Sequence, residues 1–349
     1  MAGRTIGELR DRALRWEETI RADSAMYSRL ALHVADSNDL LDLMRAVSPG
    51  QLELNMLFAA VQYLLLGDPS HRLAGWYPSL GGTRADGGIE LAFDEFVTEH
   101  ADDIRHLITA RRVQTNEVAR CAFLLPAYNL VAAMTQAPLA IIEVGTSAGL
   151  NQNVDRYGYT YRSESGIRRL NDSSPVQLEC DTGRTLPKAA TSIPNIAWRI
   201  GLDVHPIDVT DPDQARWLRA LVWPDQVERH HRLAGAIGVA QDHPPRVVGG
   251  DAFDVVETLV EQAPGDAAVV VQHSFVLNQF PTAERERFYQ LLDSLAAGRP
   301  VYRVAAEWLT RIRHTLLDVT IHGQNRTTID LGRVHHHGRW MKLTPAADP

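Results

Sequence analysis

LAIIEVGTSAGLNQNVDRYGY, residues 139–159, holds the turn on which the rest of the chain depends. Its apolar start, with β-branched Ile141, Ile142 and Val144, reads as a short buried strand. The pentapeptide G-T-S-A-G at 145–149 then reads as a tight turn. Those letters fit G-x-S-x-G, in which a strained strand-to-helix turn exposes a nucleophilic serine, here Ser147. They fit equally a glycine loop that lets the backbone approach a cofactor, with Gly145 and Gly149 supplying positive φ. Both readings expect a strand, a turn and then a helix whose opening amides present a weakly positive end.

Upstream, residues 1–136 read as an all-helical domain. SAMYSRLALHVAD, SNDLLDLMRAV and LELNMLFAAVQYLLLG repeat apolar residues at i, i+3 and i+4, and two of them open on a serine suited to an N-cap. YPSLGGTRADGG is a glycine-rich loop, and ELAFDEFVTEHADDIRHLITAR reads as one further helix. Downstream, residues 137–349 alternate. IAWRIGLDV, RVVGGDAFD, AAVVVQHSFV and VYRVAAEWL read as strands, separated by the helical segments DPDQARWLRALVW, QVERHHRLAGAIGVAQ, FDVVETLVEQ and TAERERFYQLLDSLAAG. This alternation predicts an α/β fold, a doubly wound, mostly parallel sheet with helices on both faces. The alternating tail LLDVTIHGQNRTTIDLGRVHHHGRWMKL predicts an antiparallel edge hairpin, an edge suited to homodimer formation.

Order along the chain separates the two readings of the loop. A nucleophile elbow sits deep in an established sheet and follows an oxyanion loop of the H-G-G type. Here the G-T-S-A-G strand is the first of its sheet and no H-G-G precedes it. Glu143, an acid at the end of a buried strand, is costly unless paired or functional, and under a cofactor loop it accepts hydrogen bonds or holds an amino group. The net charge of −8 and the lack of a basic stripe argue against nucleic acid. Cys121 and Cys180 are too few for a disulfide framework or a metal cluster and suit a reducing cytoplasm. The charged N-terminus has no signal-peptide pattern, and Pro126, Asn129, Gln136 and Pro138 break the longest apolar run, so no membrane span is expected.

Seven segments carry a resemblance: RRVQTNEVARC (111–121), EVGTSAGLNQNVDRYGY (143–159), RIGLDVHPIDVTD (199–211), WLRALVWPDQVER (217–229), GDAFD (250–254), VVQHSFVLNQF (270–280) and HHGRW (336–340). Across nearly its whole length the chain resembles a bacterial domain-of-unknown-function family regarded as similar to class I S-adenosylmethionine-dependent methyltransferases. The resemblance implies S-adenosylmethionine as cofactor, held by Glu143, Gly145, Thr146, Ser147 and Gly149. It further implies Asp203 on the ribose hydroxyls, with Asp208 as fallback, and Asp251 at the adenine amino group, flanked by Ala252 and Phe253. Asp203 reads alternatively as a turn cap before Pro206, and Asp251 as a helix N-cap. Ser147 stands where the usual motif has its middle glycine.

The active site of such a fold lies at the carboxyl ends of the strands. Gln272, His273, Ser274 and Asn278 end the fourth strand and are expected to face the donor methyl, Ser274 and Asn278 toward the substrate; His273 is the expected general base, against a reading in which it satisfies buried backbone. RRVQTNEVARC reads as a polar helix whose Asn116, Glu117 and Arg120 share a face. With Gln114 they suit a substrate clamp, or an interdomain ion pair. In VHHHGRW, strand alternation puts His335 and His337 on one face and His336 on the other. No metal is therefore expected, His337 is given a substrate-facing or structural role, and Glu307 is a further candidate. The leading expectation is a cytoplasmic methyltransferase acting on a small molecule. The alternatives are a serine hydrolase, in which Ser147 is joined by Asp203 or Asp251 and by His273 or His337, and a non-catalytic methyltransferase-like binding protein.

Overall fold

Local capping lays down the first helices. The computed structural model describes residues 4–309 and 314–344. Helix α1 (Ile6–Ile20) opens on a capping box in which Thr5 Oγ1 accepts from Glu8 N and the Glu8 carboxylate accepts from Thr5 N. Ser24 and Ser37 cap α2 (Ala25–Asp36) and α3 (Asn38–Met44) more simply, each hydroxyl accepting from the backbone N–H three residues on, Tyr27 and Leu40. Helix α4 (Glu53–Gly67) is buried nearly all round, so it forms the centre of its unit. The single helix expected over 90–111 is two, α5 (Ile89–Glu99) and α6 (Ala101–Ala110), meeting at His100.

The described chain divides into two compact units. One runs to Thr115 and takes in Thr210–Ala234; the other comprises Asn116–Val209 and the described residues from Gly235 onward. The sequence boundary at 136 and this division differ for a physical reason. Helix α8 (Pro212–Ala220), which lies between two strands of the sheet in sequence, buries Trp217 and Ala220 in the helical core. Gln62 Nε2 of α4 donates to the carbonyls of Ala220 (3.1 Å) and Val222 (2.6 Å), which satisfies the end of α8. Periodicity detects such a helix but not the core it joins. The division falls within α9 (Val227–Asp242).

The second unit is α/β. Its main sheet has eight strands in the order β11-β10-β9-β8-β7-β1-β5-β6. The strands are β1 (Leu139–Val144), β5 (Ile196–Asp203), β6 (Val247–Gly249), β7 (Ala268–Ser274), β8 (Val301–Leu309), β9 (His314–His322), β10 (Thr327–Val334) and β11 (Met341–Leu343). Strands β6, β5, β1, β7 and β8 run parallel, while β9, β10 and β11 are antiparallel to their neighbours, one strand more than the expected hairpin. Helices α10 (Ala252–Gln262) and α11 (Thr282–Leu295) cover one face through Val256, Leu259, Phe288 and Leu292, packed on Ile142, Val144, Val269 and Val271. Helix α7 (Cys121–Thr135) packs against β7, β8 and β9. By composition Val118–Thr135 is apolar enough to cross a membrane, but two-thirds of it is buried in protein.

The connection from β1 to β5 departs from expectation. No α-helix follows the glycine turn. Instead a four-residue 3-10 turn (Leu150–Asn153) leads into a separate sheet, β3-β2-β4, made of β2 (Gly158–Ser163), β3 (Gly166–Leu170) and β4 (Gln177–Asp181). Tyr157, Tyr159 and Tyr161 alternate into its core and are fully buried. Their hydroxyls donate to the carbonyls of Leu150 (2.6 Å), Val154 and Ala122 (2.9 Å), so this sheet braces the turn that a helix would otherwise continue.

Candidate functional site

Glu143 ends β1 beneath the glycine turn and is 4% exposed. Its Oε2 accepts from Thr146 Oγ1 at 2.6 Å and its Oε1 from Asn151 Nδ2 at 3.1 Å. Burial pushes its carboxyl up to about 7, although these two hydrogen bonds and the charge of Arg120 act against the rise. Asn151 went unrecognised in the sequence, although the run L-N-Q-N directly after the turn offered the donors that a buried acid needs. Gly145, Ser147 and Gly149 are all left-handed, at φ +72°, +57° and +71°. A Cβ on Gly145 would stand 2.3 Å from Val276 Cγ2, so the loop after β1 lies directly on the loop after β7.

Ser147 therefore occupies a glycine conformation at a cost. Its Oγ is buried with no hydrogen-bond partner among the described residues. Ser147→Gly relieves both the backbone strain and the orphaned hydroxyl, and it should stabilise the unit by about 1 kcal/mol in thermal melts. A loss of stability would show that the hydroxyl has a partner. The triad reading gains no geometry here, because among the described residues neither a histidine nor an acid hydrogen-bonds this oxygen.

Asp203, ending β5, turns back to the same loop. Its Oδ2 accepts from Ser147 N at 2.8 Å and its Oδ1 from His205 N at 2.9 Å, so it caps its own turn and fixes the glycine loop together. Asp251 is the N-cap of α10, accepting from Phe253 N at 2.8 Å. Ala252 is buried, and Phe253 packs its ring on Phe280 and Phe288 with the Arg287 guanidinium above it. Asp208 has its own contacts and sits in the stretch after β5.

The end of β7 separates its two faces. Gln272 pairs in register with Glu143, so both side chains project to one face. Gln272 is 1% exposed, and neither its amide oxygen nor its amide nitrogen has a partner among the described residues. Asn278 Oδ1, in the β7 loop, is likewise buried and unpartnered.

His273 projects to the opposite face and is fully buried. Its Nδ1 meets Glu307 Oε1 at 2.6 Å and its Nε2 meets Arg303 Nη1 at 3.4 Å. Arginine only donates, so Nε2 accepts and Nδ1–H donates to Glu307. Arg303 continues to Asp318 and to Thr320 Oγ1 (2.8 Å). Glu307 also accepts from the amides of Val276 (3.0 Å), Leu277 (3.1 Å) and Asn278 (3.0 Å). Burial raises the Glu307 carboxyl, but the hydrogen bonds from His273 and from the Val276 and Asn278 amides more than offset that and hold it below its ordinary value. Burial raises Asp318. Expected to be a base facing the reacting group, His273 is instead the strand-end histidine of a network that holds the β7 loop. Arg303 and Asp318 lie mid-strand among apolar neighbours and gave no signal in the sequence.

Residues 111–120 are not a helix. They run extended into a 3-10 turn, Val118–Arg120, which Glu117 caps through Ala119 N, so the shared helical face does not exist. Gln114, half-buried, belongs to the first unit. Asn116 Oδ1 accepts from Leu150 N at 2.9 Å. Arg120 donates to Ser274 O (3.4 Å), Ser274 Oγ (3.3 Å) and His336 O (3.2 Å), with its guanidinium 4.3 Å from the Phe275 ring centre. The predicted alternation of the histidines also fails: β10 ends at Val334, and His335, His336 and His337 bring their rings together in a turn.

Comparison with known proteins matches residues 11–343 to the profile described as "Uncharacterized protein conserved in bacteria (DUF2332)". The chain belongs to the DUF2332 family. Searches of curated proteins and of solved structures found no match. In this DUF2332 chain, Glu143, Thr146, Ser147, Asn151, Asp203, Gln272 and the β7 loop meet where the crossovers from β1 and β7 depart toward opposite ends of the sheet. In open α/β sheets that crevice is where ligands bind.

Proposed function

We propose that the chain is an S-adenosylmethionine-dependent methyltransferase acting on a small molecule in the cytoplasm. The observation that carries a ligand site is the set of buried polar atoms on Ser147, Gln272 and Asn278, unpartnered among the described residues, around the switch in strand order. Leaving such an atom unmade costs about 1–3 kcal/mol, so several together favour a polar guest. The donor set suits this cofactor: the Glu143 carboxylate for an ammonium, Asp203 for a diol, and left-handed Gly145 and Ser147 for close backbone approach. When bound, S-adenosylmethionine supplies an activated methyl for in-line displacement. The chain's own residues hold and orient: Arg120 and Ser274 offer donors at the carboxyl end of β7, and Asn278 adds a carbonyl oxygen toward an acceptor. His273, with both ring nitrogens engaged, has no part in this proposal.

Calorimetry with S-adenosylmethionine and S-adenosylhomocysteine, on wild type and Asp203→Ala, tests it. Micromolar binding lost in the variant, with the fold retained, is the expected result. A carboxyl raised from 4.5 to about 7 gives the folded state the extra proton, so its stabilising effect is complete below pH 4.5 and is lost as pH rises to 7. The span is about 3 kcal/mol at most. Affinity for an ammonium-bearing ligand should accordingly rise as pH passes upward through 7, and Glu143→Gln should flatten that rise. No binding of either ligand, with labelling of Ser147 by a fluorophosphonate, would favour the hydrolase reading instead. Silence in both assays would favour a non-catalytic binding protein.

A further inference from the structure

The turn joining β10 to β11 is held from three directions. Gly338 N donates to His335 O at 2.8 Å and His335 N to Trp340 O at 2.9 Å, closing the turn on itself. Gly338 is left-handed at φ +68°, and a Cβ there would stand 2.1 Å from Ala119 O. Arg120 Nε grips the His336 carbonyl at 3.2 Å. On this fixed backbone the three imidazoles stand with ring centres 4.3 Å (His335 to His336), 4.1 Å (His336 to His337) and 5.7 Å (His335 to His337) apart. One ring nitrogen from each lies within 4.8 Å of the others, and all three side chains are half-buried and reachable from solvent.

We propose that His335, His336 and His337 form a zinc site. Zinc–imidazole bonds of about 2.1 Å in tetrahedral geometry place ligand nitrogens roughly 3.4 Å apart. The rings therefore need to close by about 1.4 Å, within reach of χ1 and χ2 rotation on an immobile turn. His335 Nδ1 accepts from His337 N at 3.0 Å, and this ring exchanges that contact for the metal. An all-imidazole set suits zinc, cobalt, nickel or copper and not magnesium or calcium. Three protein ligands leave a fourth position for water, the arrangement of an open site. The proposal stands independently of the methyl donor.

Tag-free protein stripped with a chelator is titrated with zinc by calorimetry and with cobalt(II) by visible absorption. One zinc per chain, with a Kd below ~1 µM and intense tetrahedral cobalt bands, is the expected outcome. His336→Ala and His337→Ala should each weaken binding by ~100-fold or more, and His243→Ala, outside the turn, should leave it unchanged. Binding weaker than ~1 µM, a stoichiometry below one, or affinity retained in both turn variants overturns the site and marks surface histidines that bind metal adventitiously. If an alanine variant melts early, His336→Gln keeps the side chain's bulk and polarity and reads the same loss.

Discussion

Glu307→Ala is expected to lower the thermal midpoint of the protein by on the order of 10 °C. The side chain accepts four hydrogen bonds, three from consecutive amides of the β7 loop and one from His273. Removing one partner of a buried charged network typically costs about 3–5 kcal/mol, and in a unit of this size each kcal/mol moves the midpoint by roughly 2–4 °C. Loss of Glu307 leaves three amides and an imidazole N–H without acceptors, with Arg303 and Asp318 still buried beside them. Glu307→Gln keeps one acceptor oxygen and should give about half the loss. A shift smaller than about 2 °C for the alanine variant would mean that the loop holds itself without the network.

Gln272→Leu should act in the opposite sense on stability. Both polar atoms of this amide are buried without partners among the described residues, so an apolar side chain of similar size removes a desolvation cost and is expected to stabilise the unit by about 1–3 kcal/mol. The same change should weaken binding of S-adenosylmethionine at least ~10-fold if the amide meets the ligand, since a lost buried hydrogen bond is worth roughly that ratio. Thermal melts and calorimetry on one preparation read both effects. Greater stability with unchanged binding would move the ligand away from β7. Reduced stability would show that the amide already has a partner in solution.

Much of the fold was legible because its signals are local. Apolar runs of six to nine residues marked β1, β5, β7 and β8, and serine caps marked α2 and α3. The small sheet was missed although Tyr157, Tyr159 and Tyr161 alternate as a half-buried strand should; short strands flanked by charged residues carry little apolar signal. At the site, the sequence placed Glu143, Asp203 and Gln272 at strand ends and Ser147 in the turn after β1, and those are their positions in the fold. It could not tell which face His273 takes, because one residue of register moves a side chain to the other side of a sheet. Nor could it foresee that His336 turns toward its neighbours, since that depends on the chain leaving β geometry at His335, directly after β10, in a turn closed by left-handed Gly338.

The two outermost strands have a bearing on how copies of the chain meet. β6 (Val247–Gly249) and β11 (Met341–Leu343) are three residues each, flanking a sheet whose inner strands reach nine. A free edge recruits another chain in proportion to the length of unpaired backbone it offers, and short terminal strands are among the devices by which proteins avoid uncontrolled aggregation. Two copies joined by continuing the sheet would share a ladder of three residues at either margin. Self-association along that axis is thus weakly templated, and the sheet's margins favour solubility over fibre-like growth.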